Sequence, residues 1–202
     1  LALLAKSVTA ALPAVLLELL WWQRGRLAWR RDLAPLLPFL ALGAGAGAAT
    51  AWVERHHVIG ALTLHFDLGP VERVLLAGRA LAFYLGKLLW PAELVFFYPR
   101  WEISRSTWWQ YLFPLAALVL TAALWALRRR WRGPLAAWLL FAVALAPALG
   151  FVDVYPFRYA YVADHFQYLA SLGPIAFLCA LAAVWLAAQR SWRRTAGRAA
   201  VV

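Results

Sequence analysis

Long apolar runs alternate along this chain with short stretches that gather nearly all of its charge. The runs cover residues 1–22, 35–53, 74–90, 111–127, 135–150 and 169–188. A helix rises about 1.5 Å per residue and a bilayer's hydrocarbon core is about 30 Å thick, so about 20 apolar residues cross it. Most of the runs qualify, and tilt or a thin bilayer accommodates the shorter ones. The pattern predicts an all-α fold, a polytopic transmembrane helix bundle.

The arginines orient it. Arg24, Arg26, Arg30 and Arg31 form one patch, Arg128, Arg129, Arg130 and Arg132 a second, and Arg190, Arg193, Arg194 and Arg198 a third, each beside an apolar run. Arginines in short loops mark the cytoplasmic side. Together with Asp32 these patches account for the whole net charge of +11. On the other side, Arg55, Arg73, Arg79, Lys87, Arg100, Arg105 and Arg158 balance Glu54, Asp67, Glu72, Glu93, Glu102, Asp153 and Asp164. The basicity is therefore a topology signal, and no nucleic-acid partner is expected.

With the three patches on one side, the first run descends to the cytoplasm, 35–53 rises, 111–127 descends, 135–150 rises and 169–188 descends. Parity leaves 74–90 unable to cross. The expectation is about five spans plus one interfacial or re-entrant helix. At about 100° per residue, Glu72, Arg73, Arg79 and Lys87 share one arc. Val74, Leu75, Gly78, Leu81, Ala82, Leu85 and Leu89 share the opposite one, as in a helix lying in the headgroup plane. Trp21, Trp22, Trp29, Trp52, Trp90, Trp101, Trp108, Trp109, Trp131 and Trp192 fall near the proposed boundaries and read as aromatic belts.

Composition agrees: 65% of residues are hydrophobic and 14% charged, against about 45–50% and about 25% in soluble domains. The surplus apolar surface must face lipid. The single cysteine, Cys179, excludes a disulfide framework. His56, His57 and His65 lack a His-Glu-x-x-His pattern, so no metal is expected. Gly43, Gly45 and Gly47 give a small-xxx-small spacing that suits close helix packing. Leu1 is no natural start, so the chain is expected to be a piece of a longer protein.

Polar chemistry must then use the outer side. Lys6 stands about 24 Å above Trp22 if one helix joins them, near the outer boundary, where it snorkels or binds an anion. Residues 54–110 carry the interfacial helix, and residues 151–168 carry Asp153, Arg158, Asp164 and His165 among tyrosines. Ionisable residues at membrane depth point to function, although Asp164 paired with Arg158 would make a structural lock.

Three ordered stretches resemble signatures of one family: Leu1-Ala-Leu-Leu-Ala-Lys6-Ser7 through Pro13 and Leu16-Leu17, then Ala80-Leu-Ala-Phe-Tyr84-Leu-Gly-Lys87-Leu-Leu-Trp90-Pro91, and Tyr161-Val-Ala-Asp164-His165-Phe-Gln-Tyr168-Leu-Ala-Ser171-Leu-Gly173. In these the chain is similar to bacterial relatives of the transmembrane and tetratricopeptide-repeat O-mannosyltransferases, within the GT-C integral-membrane glycosyltransferase superfamily. His165 stands where the pattern often has arginine, and Ala170 where proline is frequent.

The resemblance implies that residues 1–190 are the C-terminal part of a GT-C-like membrane domain and 191–202 a basic cytoplasmic tail, with tetratricopeptide repeats to follow. It implies transfer of a sugar from a polyprenyl-phosphate donor to a hydroxyl of an acceptor protein or glycan, on the extracytoplasmic side of a bacterial inner membrane. Lys6, Arg79 and Lys87 are the expected donor-phosphate contacts, and Tyr84, Arg158, Asp164 and His165 the expected sugar or acceptor side. The family's acidic base would precede Leu1, so no residue here inherits the catalytic role, and no cofactor is assigned.

Two rival readings remain. An O-antigen ligase or polymerase would centre on residues 54–110 with His56 or His57. A non-catalytic scaffold would have self-paired outer charges, and a lipid transporter would carry charges mid-span, of which 35–53 and 111–127 have none.

Overall fold

The computed structural model describes residues 7–59 and 68–199. Among the described residues every regular element is helical, and the α-helices are α1 (Leu12–Arg24), α2 (Leu37–Val53), α3 (Pro70–Leu89), α4 (Leu112–Leu127), α5 (Gly133–Leu145) and α6 (Leu172–Ala199). Three helical segments are long and apolar enough to cross a membrane: Trp29–Val53, Trp108–Leu127 and Leu172–Gln189. These contain α2, α4 and the first part of α6. Helices α1 and α5 have 13 residues each.

Local chemistry sets the helix limits. Pro13, Pro38, Pro70 and Pro134 stand in the first turns of α1, α2, α3 and α5, where a missing N–H costs nothing and φ is already helical. Helix α1 ends on Gly25, whose φ of 75° lets its N–H reach the Trp21 carbonyl. Helix α3 stops before Trp90, which is extended because Pro91 follows. The apolar run 135–150 yields only the short α5, since Ala146–Ala148, with Pro147 at its centre, tightens into a 3-10 turn.

Helix α5 is central, packed between α1 and α6 and touching α4, while α3 packs on α4. Trp138 of α5 donates its indole N–H to Thr121 Oγ1 of α4 at 2.8 Å. The core gathers Tyr84 of α3, Leu135, Phe141 and Leu145 of α5, and Val162, all essentially inaccessible. Helix α2 touches the rest mainly through the 3-10 turn Ser7–Ala11, where Gly43 lies against the Ala10 backbone.

Helix α3 departs from the expected division into a wet arc and a greasy arc. Leu75, Leu76, Ala77, Gly78, Ala80, Leu81 and Tyr84 are all buried, and at 100° per residue these positions run right round the helix. Val74 and Leu89, on the apolar arc, are 50% and 72% exposed, as lipid-facing positions would be, while Leu75, Gly78 and Leu81 of that arc are covered by protein. The cause is contact on two sides: Gly78 meets Pro114 at the start of α4, and Leu76 meets Gly150 beyond α5. The helix is packed against protein on these two sides.

Candidate functional site on helix α3

Arg79, Phe83 and Lys87 are four residues apart, so they stack along one face of α3. The Arg79 guanidinium lies 4.4 Å from the Trp101 ring centre and 5.3 Å from that of Trp109. Phe83 meets Trp101 at 5.5 Å and Tyr98 at 4.9 Å, edge to face. The Lys87 ammonium is 5.1 Å from the Tyr98 ring. The result is an aromatic row with a cation at each end, each cation–ring contact worth about 0.5–2 kcal/mol.

The two cations are held differently. Lys87 donates to the Ala92 carbonyl and, at 3.2 Å, to that of Glu93. It thereby fixes the loop after α3, in which Glu93 takes a left-handed φ of 53°. Arg79 has neither a carboxylate nor a hydrogen-bond acceptor among the described residues. Burial holds its guanidinium below the ordinary arginine range. The rings take its faces, and its N–H donors lie in the plane of the guanidinium.

At the Lys87 end, the Tyr98 hydroxyl donates to Asp164, 2.9 Å from Oδ1 and 3.1 Å from Oδ2. The fully buried Tyr84 hydroxyl accepts the Ala163 N–H at 3.1 Å, which seats the 3-10 turn Asp164–Gln167 on α3. Burial pushes the Tyr98 phenol above the usual tyrosine range, and its hydrogen bond to Asp164 pushes the same way. Burial likewise raises Tyr84, with the negative charge of Asp164 adding to it.

Of the residues predicted from sequence, Tyr84, Lys87 and Asp164 converge on Tyr98 and its turn. Arg79 stands at the other end of the row, about 12 Å along the helix from Lys87. Arg158 is exposed over the Tyr159 ring at 5.7 Å, and among the described residues it makes no ion pair with Asp164; the lock expected between them is not formed, because Asp164 accepts from Tyr98. His165 is exposed and packs on Phe166. Lys6 and His65 lie outside the described residues.

Tyr98, Trp101 and Trp109 are the partners that the sequence reading did not single out. Trp101 and Trp109 read there as belt residues, yet they carry Arg79. The four-residue spacing of Arg79, Phe83 and Lys87 is a sequence signal for their shared face, and it does not identify the aromatic partners.

Other charges near these loops are matched within the chain. Arg73 pairs with Asp153 at 2.8 Å and donates to the Gly150 carbonyl at 3.0 Å. Glu72 lies 3.5 Å from Arg105, and Glu54 accepts the Tyr155 N–H at 3.1 Å. His56 has Nδ1 2.9 Å from the Trp52 carbonyl and stacks on the Trp52 ring. Among the described residues no three His, Cys, Asp or Glu side chains gather as a metal site. No protein-family model matches the chain, and no curated protein or solved structure matches it either.

Proposed function

We propose that the chain is part of a membrane glycosyltransferase that moves a sugar from a polyprenyl-phosphate donor to an acceptor hydroxyl on the extracytoplasmic side of a bacterial inner membrane. In this reading α1 and α5 join the three longer segments to make five crossings, and α3 lies across their outer ends. The observation that carries it is Arg79, a half-buried guanidinium stacked on two tryptophans with no internal acceptor. Such a group suits a phosphate on an apolar tail, because its donors can bind the phosphate bidentately while the rings exclude water.

During transfer an acceptor oxygen bonds to the anomeric carbon as the bond from that carbon to the phosphate oxygen breaks. Negative charge then grows on the departing phosphate, where a fixed cation stabilises it most. Arg79 supplies that cation, with Lys6 as a further phosphate contact, while Lys87, expected from the sequence to share that role, stands about 12 Å away along the helix with one N–H left for the rest of the sugar donor. Tyr84, Asp164, Arg158 and His165 are the proposed sugar or acceptor side, the first two by way of the turn on Tyr98. No residue of this chain is assigned the role of base.

Binding of farnesyl phosphate to the purified chain, with farnesol as competitor, tests the reading. The phosphate should bind at least about tenfold more tightly than the alcohol, and Arg79→Gln should remove the difference, with Arg79→Lys recovering only part of it. Equal binding of both compounds, or an unaffected Arg79→Gln variant, would leave the scaffold reading, which the pairs Arg73 with Asp153 and Arg105 with Glu72 favour.

A further inference from the structure

On the arginine-rich side, remote from α3, a groove of about 800 Å³ opens between α1, α5 and α6. Its walls are small and apolar, with Leu19 from α1, Ala137 and Leu140 from α5, and Ala176, Ala180 and Val184 from α6. Gly173 lets α6 close onto α5, since a Cβ there would lie 2.6 Å from the Ala137 carbonyl oxygen, and the groove opens beside that contact. Helix α6 runs antiparallel to α5, since Gly173 lies against Leu140 and Phe177 against Gly133. Later residues of α6 therefore pass alongside the turn that carries Arg130 and Arg132, and both arginines line the groove.

Those two arginines differ from their neighbours in charge balance. Arg24 and Arg31 share one carboxylate, that of the buried Asp32, which offsets one of their two charges. Neither Arg130 nor Arg132 has a carboxylate partner among the described residues. Arg132 is nevertheless placed: its guanidinium lies over Gly25, where any Cβ would collide with it, and it donates to the Trp22 carbonyl at 3.4 Å. The site is thus a tail-sized apolar slot with two uncompensated guanidiniums in its wall. The volume lies within the range of about 300–1,000 Å³ found for pockets that hold small ligands.

We propose that this groove binds one anionic phospholipid of the arginine-side leaflet, its phosphate on Arg130 and Arg132 and an acyl chain between α5 and α6. Two features select this occupant. A bare apolar helix leaves both guanidiniums without an anion, and a zwitterionic lipid brings a choline ammonium that opposes them, whereas an anionic phosphate diester takes charge-assisted hydrogen bonds from them with no such opposition. Basic pockets between helices at the cytoplasmic surface also sit where anionic headgroups are concentrated. The site is independent of the outer donor site and stands on different residues.

The test is native mass spectrometry of the chain in detergent, with dioleoyl phosphatidylglycerol and dioleoyl phosphatidylcholine as probes. The parent should retain one phosphatidylglycerol, with about a 25-fold preference over phosphatidylcholine, about fivefold for each arginine. Arg130→Gln, at an exposed position that holds no helix end, should lower that preference about fivefold, and Arg130→Gln with Arg132→Gln should abolish it. Arg129→Gln should leave it intact. Ala176→Trp, which fills the slot on the apolar side of both arginines, should release the lipid. Equal retention of the two lipids, an unchanged preference in the double variant, lipid kept by Ala176→Trp, or a dimer that excludes lipid would each overturn the proposal. Farnesyl phosphate binding should be the same in parent and double variant, which separates this site from that of Arg79.

Discussion

Tyr98 donates its hydroxyl hydrogen to Asp164 across 66 positions of sequence, with the oxygen 2.9 Å and 3.1 Å from the two carboxylate oxygens. This bond ties the loop after α3 to the turn that leads into α6. It makes a tyrosine that must stay protonated into a structural joint.

The joint predicts an alkaline weakness. Burial first, and the bond to Asp164 second, raise the Tyr98 phenol above its value in the unfolded chain, which is about 10. A raised folded value stabilises the protein fully below that pH, and the contribution disappears as pH climbs from about 10 through the folded value. Tyr98→Phe should lower the midpoint of thermal unfolding at pH 7, yet its midpoint should fall less steeply than the parent's between about pH 9.5 and 11.5. Parallel declines would reject the assignment.

Two glycines of α3 should respond oppositely to alanine. A Cβ on Gly78 would press on Pro114, 2.6 Å from its Cδ and closer still to its backbone nitrogen, whereas a Cβ on Gly86 meets nothing within 4 Å. Gly78→Ala must push α3 off α4 and should cost about 1–3 kcal/mol. Gly86→Ala should be neutral or stabilise by up to about 1 kcal/mol. Thermal melts of the two variants in one detergent measure the contrast, and equal shifts would show that α3 does not pack on α4 this closely.

Arg73 should matter more than an ordinary surface charge. It reaches Asp153 and the carbonyls of Gly150 and Phe151 together, with both side chains about one-fifth exposed. Arg73→Met keeps the stem and removes every one of these bonds, and should cost about 1.5–3 kcal/mol. Arg105→Met, whose partner Glu72 is reached from a side chain that is 78% exposed, should cost less than about 1 kcal/mol. Chemical denaturation of the two variants ranks them.

Sidedness can be read by labelling. In a Cys179→Ala background, a membrane-impermeant maleimide added to intact cells should modify Arg105→Cys and leave Arg130→Cys untouched until the membrane is opened. The opposite pattern would invert the orientation taken from the arginine patches.

Local signals in the sequence carried well into the structure. Prolines at 13, 70 and 134 opened helices as their chemistry requires, and Gly25 closed one. The shared face of Arg79 and Lys87 was visible in their spacing. Their partners were not, because Trp101 and Tyr98 reach α3 from a loop without periodicity, and a tryptophan near an apolar run looks the same whether it faces headgroups or an arginine. The expected link between Arg158 and Asp164 failed for a similar reason: proximity in sequence favoured Arg158, while the fold delivered Tyr98. The two arcs of α3 did not show that Leu75, Leu76 and Gly78 are covered by protein, because a one-dimensional pattern does not reveal that a helix is packed on two sides.

Helix α6 has a consequence for the bilayer itself. Phe177 packs against Trp131, with ring centres 5.5 Å apart, so that point of α6 is level with the arginine turn between α4 and α5. The apolar segment continues to Gln189, 12 residues or about 18 Å further along the helix axis. A flat membrane surface on the arginine side cannot satisfy both: level with Trp131 it strands exposed Val184 and Trp185 in water, and level with Gln189 it submerges the arginines. The leaflet must slope across the molecule, thin beside α4 and thick beside α6, or α6 must lean to shorten its reach. Mismatch costs a fraction of a kcal/mol per Å, so the lean of α6 should grow steadily as the acyl chains of the surrounding lipid are shortened.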